Sequence, residues 1–199
     1  MNEQLTSTWA ILDEAHHALR TVVAGVGDGD WERPTPCAQW NVTQVLQHAA
    51  GDQLGFAASI TGAGWPAYDP FAPDGHLGGQ GPAEFAEATM RASAAAWATI
   101  PRDATDAPTP LPQGRMAGWL GAGACALDAA VHAWDIAVAT GQPSPLTPPL
   151  SRDLLTVARE LVEPLRQWGA YAAIVPGEDG DGDVAALLRY LGRNPEWTA

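Results

Sequence analysis

The stretch PTPCAQWNVTQVLQH, residues 34–48, specifies the start of a helix and ends on a histidine. Asn41 is followed three residues later by Gln44, and this pair fits a capping box. In a capping box, each side chain satisfies a backbone amide at the helix N-terminus. The stretch therefore predicts a helix over residues 41–61, with His48 two turns inside it on a rigid element.

Apolar residues at helical spacing predict further helices on both sides of this one. The predicted helices cover residues 3–24, 41–61, 82–100, 115–140 and 149–168, with a short one at 183–192. Glycine and proline dominate residues 62–82, which predicts a long ordered loop of the kind that forms lids or binding segments. The expected fold is an all-α four-helix bundle with this Gly/Pro-rich loop and a short C-terminal helical extension.

Length and charge restrict the function classes. With 199 residues, a single domain over residues 1–199 is expected, long enough to bury its own core. The formal net charge is −13, and all 10 basic residues are arginines. The absence of lysine excludes a Schiff-base lysine, a P-loop lysine and a lysine general base. Since nucleic acids and anionic membranes require clustered positive charge, neither is an expected partner.

The two cysteines, Cys37 and Cys125, are far apart and form neither a CxxC pair nor a disulfide framework, which favours a reducing cytoplasm. No 18-residue apolar run or basic, apolar leader is present, so neither a membrane span nor a signal peptide is expected. Two roles are open to Cys37, that of a nucleophile and that of a structural thiol. It lies in a proline-bounded turn with no basic residue nearer in sequence than Arg33, which favours an inert thiol.

The fourth predicted helix contains LDAAVHAWDIAVATG, residues 127–141. Asp128 and His132 are four residues apart, so their Cβ atoms should lie about 5–6 Å apart on one face, and Asp135 continues the same stripe. The surrounding residues are apolar, and buried charges are costly unless they are paired or bound to a metal. Two interpretations follow: a metal site built from facing helices, or an Asp–His hydrogen-bonded pair at an exposed edge.

Three blocks of the sequence resemble a known family. PTPCAQWNVTQVLQH is similar to the PTPC-x-x-W-x-V-x-x-L-x-x-H block of the mycothiol-dependent maleylpyruvate isomerase N-terminal, or DinB-like, metal-binding superfamily. HAWDIAVATGQ resembles its H-x-W-D-x-A-x-A-T-G block, and LLRYLGRNPEW resembles the tail of its short single-domain members. The resemblance implies a DinB-like bundle with His48, Asp128 and His132 as metal ligands. Asp128 stands where the isomerase has a glutamate, and its shorter arm is expected to change the metal distance or preference.

The isomerase itself carries an additional C-terminal domain, which this chain is expected to lack. The resemblance therefore implies the family's metal-and-thiol chemistry with a substrate other than maleylpyruvate. Zn²⁺ is the first choice of metal, with Fe and Ni as alternatives, and two imidazoles with one carboxylate leave open coordination positions. Mycothiol would bind as a metal thiolate and attack a small electrophilic substrate, which makes the protein a thiol S-transferase or isomerase, as a monomer or a homodimer.

Two further acids are candidate catalytic residues. Asp52, four residues after His48, is expected to shuttle a proton or to act as a fourth ligand. Asp135 is expected to orient His132 or a nearby base, or to cap a local group. The ligand set also suits non-haem iron enzymes, although those usually use His-x-Asp spacing on a β-barrel. A metal-dependent hydrolase and a non-catalytic metal- or ligand-binding module are the remaining alternatives.

Overall fold

A computed structural model of the chain describes residues 9–167 and 169–198. The helices are α1 Ala10–Gly25, α2 Val42–Thr61, α3 Pro82–Trp97, α4 Gly118–Ala139, α5 Pro148–Arg166 and α6 Asp183–Tyr190. Two short strands, β1 Ala107–Pro108 and β2 Arg115–Met116, pair antiparallel in a small hairpin. The prediction of an all-α bundle is confirmed. Residues 3–8 and 168, which the predicted first and fifth helices included, lie outside the described residues.

Helix α4 is the centre of the bundle, packed against α1, α2 and α5. Glycines allow this close approach, because a Cβ at Gly121 would lie 2.7 Å from Trp97 and one at Gly123 would lie 2.5 Å from Val157. By length and composition alone α4 could cross a membrane, but 89% of its apolar window is buried inside the protein. It is therefore the core helix of the bundle, and its polar side chains Asp128, His132 and Asp135 are buried.

Helix α2 begins as its sequence predicts. The Asn41 side chain accepts a hydrogen bond from the Gln44 backbone amide at 2.9 Å, and the Gln44 side chain accepts one from the Asn41 amide at 3.0 Å. Both bonds of the capping box are present, so this prediction is confirmed. The helix ends at Gly62, whose φ of 80° is a left-handed conformation that favours glycine.

The loop over residues 62–81 is docked along α2. Gln47 is completely buried beneath it; its amide nitrogen donates to Asp74 Oδ1 and its amide oxygen accepts from the Gly75 backbone at 2.7 Å. The Tyr68 hydroxyl donates to the backbone carbonyl of Gln47 at 3.0 Å, and Gln44 donates to the Pro73 carbonyl at 2.9 Å. These bonds fix the loop, as the prediction of an ordered loop requires.

The C-terminal segment differs from a simple extension. The β1–β2 hairpin was not predicted, because two-residue strands leave too little pattern to detect. Helix α6 packs on α5, and the Arg166 guanidinium donates to the carbonyls of Ala172 and Tyr190. The tail after α6 reaches back to α4, where Arg193 donates to Asp135.

Candidate metal centre

Three potential metal ligands from two helices converge between α2 and α4. His48 Nε2 lies 3.6 Å from Asp128 Oδ1, and His132 Nε2 lies 3.3 Å from the same oxygen. One ligand atom from each residue can be chosen so that all three lie within 4.8 Å of one another. Asp128 and His132 are 8% and 6% exposed, so the pair they form is buried and does not lie at an exposed edge.

The orientation of His48 is set by the docked loop. Its Nδ1 lies 2.8 Å from the Pro70 carbonyl oxygen, and because a carbonyl only accepts, Nδ1 carries the hydrogen. The Trp40 ring packs against the imidazole, with centroids 4.7 Å apart. Burial, with a contribution from neighbouring His132, lowers the pKa of His48 to about 4. His48 is therefore neutral near pH 7, with the Nε2 lone pair directed at Asp128.

His132 is oriented by a buried acid on its own helix. Its Nδ1 lies 2.9 Å from Oδ2 of Asp135, a residue with no exposed surface. Arg193, from the tail after α6, donates from Nε to Asp135 Oδ1 at 2.8 Å and from Nη2 to Oδ2 at 2.7 Å. Burial opposes ionisation of Asp135, but Arg193 and His132 together hold its pKa below the usual range. Asp135 is thus a carboxylate that holds the His132 ring with Nε2 facing Asp128.

The arrangement suits a divalent cation. Asp128 Oδ2 is buried and has no hydrogen-bond partner among the described residues, while Oδ1 faces the lone pair of His48. Two acceptors facing each other without a shared hydrogen repel unless a cation lies between them. Ligand atoms bound tetrahedrally at about 2.0–2.1 Å are separated by roughly 3.3 Å, which is close to both observed spacings. The residues present therefore fit a zinc-like ion, with a hydrogen-bonded partner behind each imidazole.

Asp52 lies beside the three ligands. Its Oδ2 is 4.0 Å from His48 Nε2, on the same face of α2. Burial and the nearby charge of Asp128 raise the pKa of Asp52 well above its usual range. The position suits either of the predicted roles, proton transfer or a fourth ligand.

Cys37 is closer to the site than the sequence suggested. Its thiol donates to Asp135 Oδ2 at 3.3 Å, and its sulfur lies 3.7 Å from Arg193 Nη2 and 4.0 Å from His132 Nδ1. The expectation that no basic residue lies nearby is wrong, because Arg193 is distant in sequence and adjacent in space. Cys37, His132 and Asp135 form a second group with metal-ligand geometry, but in it Asp135 is already engaged by Arg193.

A cleft adjoins the ligands on the side of α5. Its walls contain Asp52, Phe56, Leu111, Ala124, Leu127, Asp128, Leu161, Leu165 and Tyr171, and it is narrow, with a cavity volume of about 40 Å³ that opens to solvent. Burial and the charge of Asp128 raise the pKa of Tyr171 to about 12.

The remaining histidines lie elsewhere: His16 bonds Gln53 in the core at 2.7 Å, and His17 and His76 are exposed.

Sequence reasoning missed three contributors, namely Pro70, Tyr171 and Arg193. A signal for Arg193 was present: Asp135 lies on a largely apolar core helix, and a buried carboxylate needs a cationic partner. With no lysine in the chain, that partner had to be a histidine or one of the 10 arginines. Which one it was depends on how the tail folds back.

The family model described as mycothiol maleylpyruvate isomerase N-terminal domain matches residues 12–137. This span contains the three candidate ligands and ends before Tyr171 and Arg193. Two uncharacterized proteins of Mycobacterium tuberculosis, from strains CDC 1551 / Oshkosh and ATCC 25618 / H37Rv, are each 33% identical over 154 residues. Each alignment covers 75% of this chain and 76% of the relative. No solved structure matches the chain.

Proposed function

Because the chain belongs to the mycothiol maleylpyruvate isomerase N-terminal domain family, a mycothiol-related and metal-binding family of DinB-like fold, we propose that it is a metal-dependent thiol transferase or isomerase. Its thiol substrate is mycothiol, and its second substrate is a small electrophile. The observation that supports this proposal is the pair of imidazoles that present Nε2 to one buried carboxylate, each held from behind by a hydrogen bond at Nδ1.

The ligand set leaves room for a substrate atom. His48, His132 and Asp128 would supply three protein ligands, the number typical of catalytic rather than structural zinc sites. A bound Zn²⁺, or alternatively Fe or Ni, would supply the positive charge that keeps a thiol sulfur deprotonated near neutral pH. Imidazole nitrogen and carboxylate oxygen suit all three of these ions.

Two acids would assist from within the protein. Asp52, which lies 4.0 Å from His48 Nε2, would accept the proton that the thiol loses and pass it towards the cleft. Asp135 touches no open position and acts by holding His132 in one tautomer.

The working environment follows from the same chemistry. Both cysteines are free, and a thiol-dependent reaction requires a reducing compartment, so we place the protein in the cytoplasm. The net charge of −13 disfavours nucleic acid and anionic membrane as partners, and we propose that the protein acts as a monomer or a homodimer on small molecules.

Metal content tests the site. Protein purified without chelators should contain about one equivalent of zinc or a similar ion, measured by elemental mass spectrometry. His48→Ala and His132→Ala should each lose most of it, whereas His17→Ala, at an exposed position of α1, should keep it. Equal metal content in all three variants would refute the assignment of the ligands.

Thiol consumption tests the reaction. Metal-loaded protein with mycothiol and 1-chloro-2,4-dinitrobenzene should consume thiol faster than buffer, and removal of the metal by a chelator should abolish the difference. Rates equal to buffer for mycothiol and for other thiols, with metal still bound, would instead favour a hydrolase or a non-catalytic binding module.

A further inference from the structure

The cleft beside Asp128 has apolar walls and an acidic end. Its apolar walls come from α2, α4, α5 and the loop between the two short strands, and they consist of Phe56, Leu111, Ala124, Leu127, Leu161 and Leu165. The polar side chains that line it are Asp52, Asp128 and Tyr171. A substrate that reaches the metal ligands through this cleft therefore buries its body against aliphatic and aromatic carbon.

None of the residues that line the cleft is cationic. The chain has no lysine, and all 10 arginines fall within the described residues, since residues 1–8, 168 and 199 include none. The arginine in contact with the site is Arg193, and both its Nε and its Nη2 are bonded to Asp135. An anionic substrate would thus meet Asp52 and Asp128 with no arginine free to pair with it.

A charge count leads to the same result. A divalent cation contributes two positive charges, Asp128 removes one, and the thiolate of the proposed reaction removes the other. The charge of Arg193 is offset by Asp135. With the thiol in place no positive charge is left over, and the transfer of a carboxylate from water into such a site is unfavourable.

The Tyr171 hydroxyl supplies the remaining polar contact. It lines the cleft and has no hydrogen-bond partner among the described residues. A phenol is protonated near pH 7, so it can donate a hydrogen bond to a neutral acceptor such as a carbonyl, nitro or epoxide oxygen.

We propose that the cleft binds a small, uncharged electrophile with an apolar body and one hydrogen-bond acceptor that contacts Tyr171, and that it excludes carboxylate-bearing electrophiles. Maleylpyruvate, the dicarboxylate in the family's description, belongs to the excluded class. The inference rests on the proposed function for the identity of the site. In the reaction, the thiol sulfur bonds to the electrophilic carbon and the thiol proton passes to solvent. The displaced electron pair leaves with the leaving group, or stays on an oxygen that takes up a proton.

A matched pair of aryl chlorides tests the exclusion. Zn²⁺-loaded protein and mycothiol are given 4-chloro-3-nitrobenzoate or its methyl ester, and each rate is divided by the uncatalysed rate with the same thiol. The sulfur displaces chloride in both, so the compounds differ chiefly in charge. The enhancement should be at least about tenfold larger for the ester, which corresponds to about 1.4 kcal/mol. An equal or larger enhancement for the carboxylate overturns the proposal.

Binding of unreactive analogues separates this inference from the proposed reaction. Calorimetric titration of the loaded protein with mycothiol present should show binding of methyl 3-nitrobenzoate and at least about tenfold weaker binding of 3-nitrobenzoate. That result without any turnover would support the cleft's selectivity and refute the transferase reaction. Equal binding of the two, or binding of neither, overturns the proposal.

Two variants test the residues. Tyr171→Phe should reduce the enhancement with the ester and leave the zinc content unchanged; an unchanged rate would exclude the hydrogen bond.

Leu111→Arg places a cation in the cleft from a partly exposed loop, where folding is least at risk. It should shift the ratio of the ester rate to the carboxylate rate about tenfold towards the carboxylate. Leu111→Met is the matched control, and an unshifted ratio in a folded Leu111→Arg protein contradicts the electrostatic argument.

Discussion

Replacement of Arg193 by methionine should weaken both folding and metal binding. Methionine fills much of the space of the arginine stem but cannot donate to Asp135. The Asp135 carboxylate, which has no exposed surface, then loses its cationic partner. The Arg193 side chain is 12% exposed, and little water can take over its role. The change thus removes one partner of a buried, bidentate ion pair.

The magnitudes follow from that burial. Loss of one partner of a buried ion pair costs roughly 3–5 kcal/mol of unfolding free energy. Asp135 also holds Nδ1 of His132 at 2.9 Å, and loss of this kind of support behind a ligand weakens metal affinity by roughly 10–100-fold. Arg193→Lys keeps the charge but loses the bidentate geometry, so its stability and its metal affinity should lie between those of Arg193→Met and the wild type.

Urea unfolding of the metal-free protein gives the stability, and competition with a chromophoric chelator gives the metal affinity. Arg20→Met is the control, because Arg20 forms a 2.7 Å pair with Glu87 whose side chains are 40% and 36% exposed. Its loss should cost at most about 1 kcal/mol and leave metal affinity unchanged. Wild-type metal affinity in a destabilised Arg193→Met would show that Arg193 has no role in positioning His132. A cost no larger than that of Arg20→Met would refute the ion-pair reasoning.

Two further predictions concern the loop and the core. A Cβ at Gly51 would lie 2.8 Å from the Pro70 ring, so Gly51→Ala should displace the Pro70 carbonyl that holds His48 and lower metal affinity several-fold. Gly29→Ala is the control, because a Cβ there meets nothing within 4 Å and metal affinity should not change. Burial lowers the pKa of His16 below 6.5, so the unfolded chain binds more protons and stability should fall as pH drops below 6.5, by at most about 1.4 kcal/mol per unit from this group. Urea unfolding at pH 7 and 5 should show a smaller loss for His16→Gln than for wild type, and equal losses would contradict this.

The C-terminal segment adds to the site from outside the matched family region. That region ends at residue 137, and Tyr171 and Arg193 follow it. One of them lines the cleft and the other neutralises the acid behind His132. This part of the chain is therefore where we expect the substrate preference of this protein to depart from that of other family members.

Much of the site follows from local sequence. The capping box at Asn41 fixes the start of α2, so the position of His48 on the helix is determined locally. The four-residue spacing of Asp128 and His132 places both on one face of α4, because helical periodicity is a local property. Helical spacing thus predicts the fold class and the Asp128–His132 pair, and the family resemblance adds His48 as the third candidate ligand. The absence of lysine excludes every chemistry that needs one.

Tertiary structure alone decided what stands behind those ligands. The Pro70 carbonyl reaches His48 through a docked loop, and Arg193 reaches Asp135 across 58 residues of chain. Such contacts depend on how loops and tails pack, and no periodicity records them. The same holds for Cys37, which local sequence separates from basic residues and the fold places 3.7 Å from Arg193. Helical spacing and the family resemblance indicated which groups could bind a metal, whereas the long-range contacts determined their tautomers, their charge and the largely apolar cleft beside them.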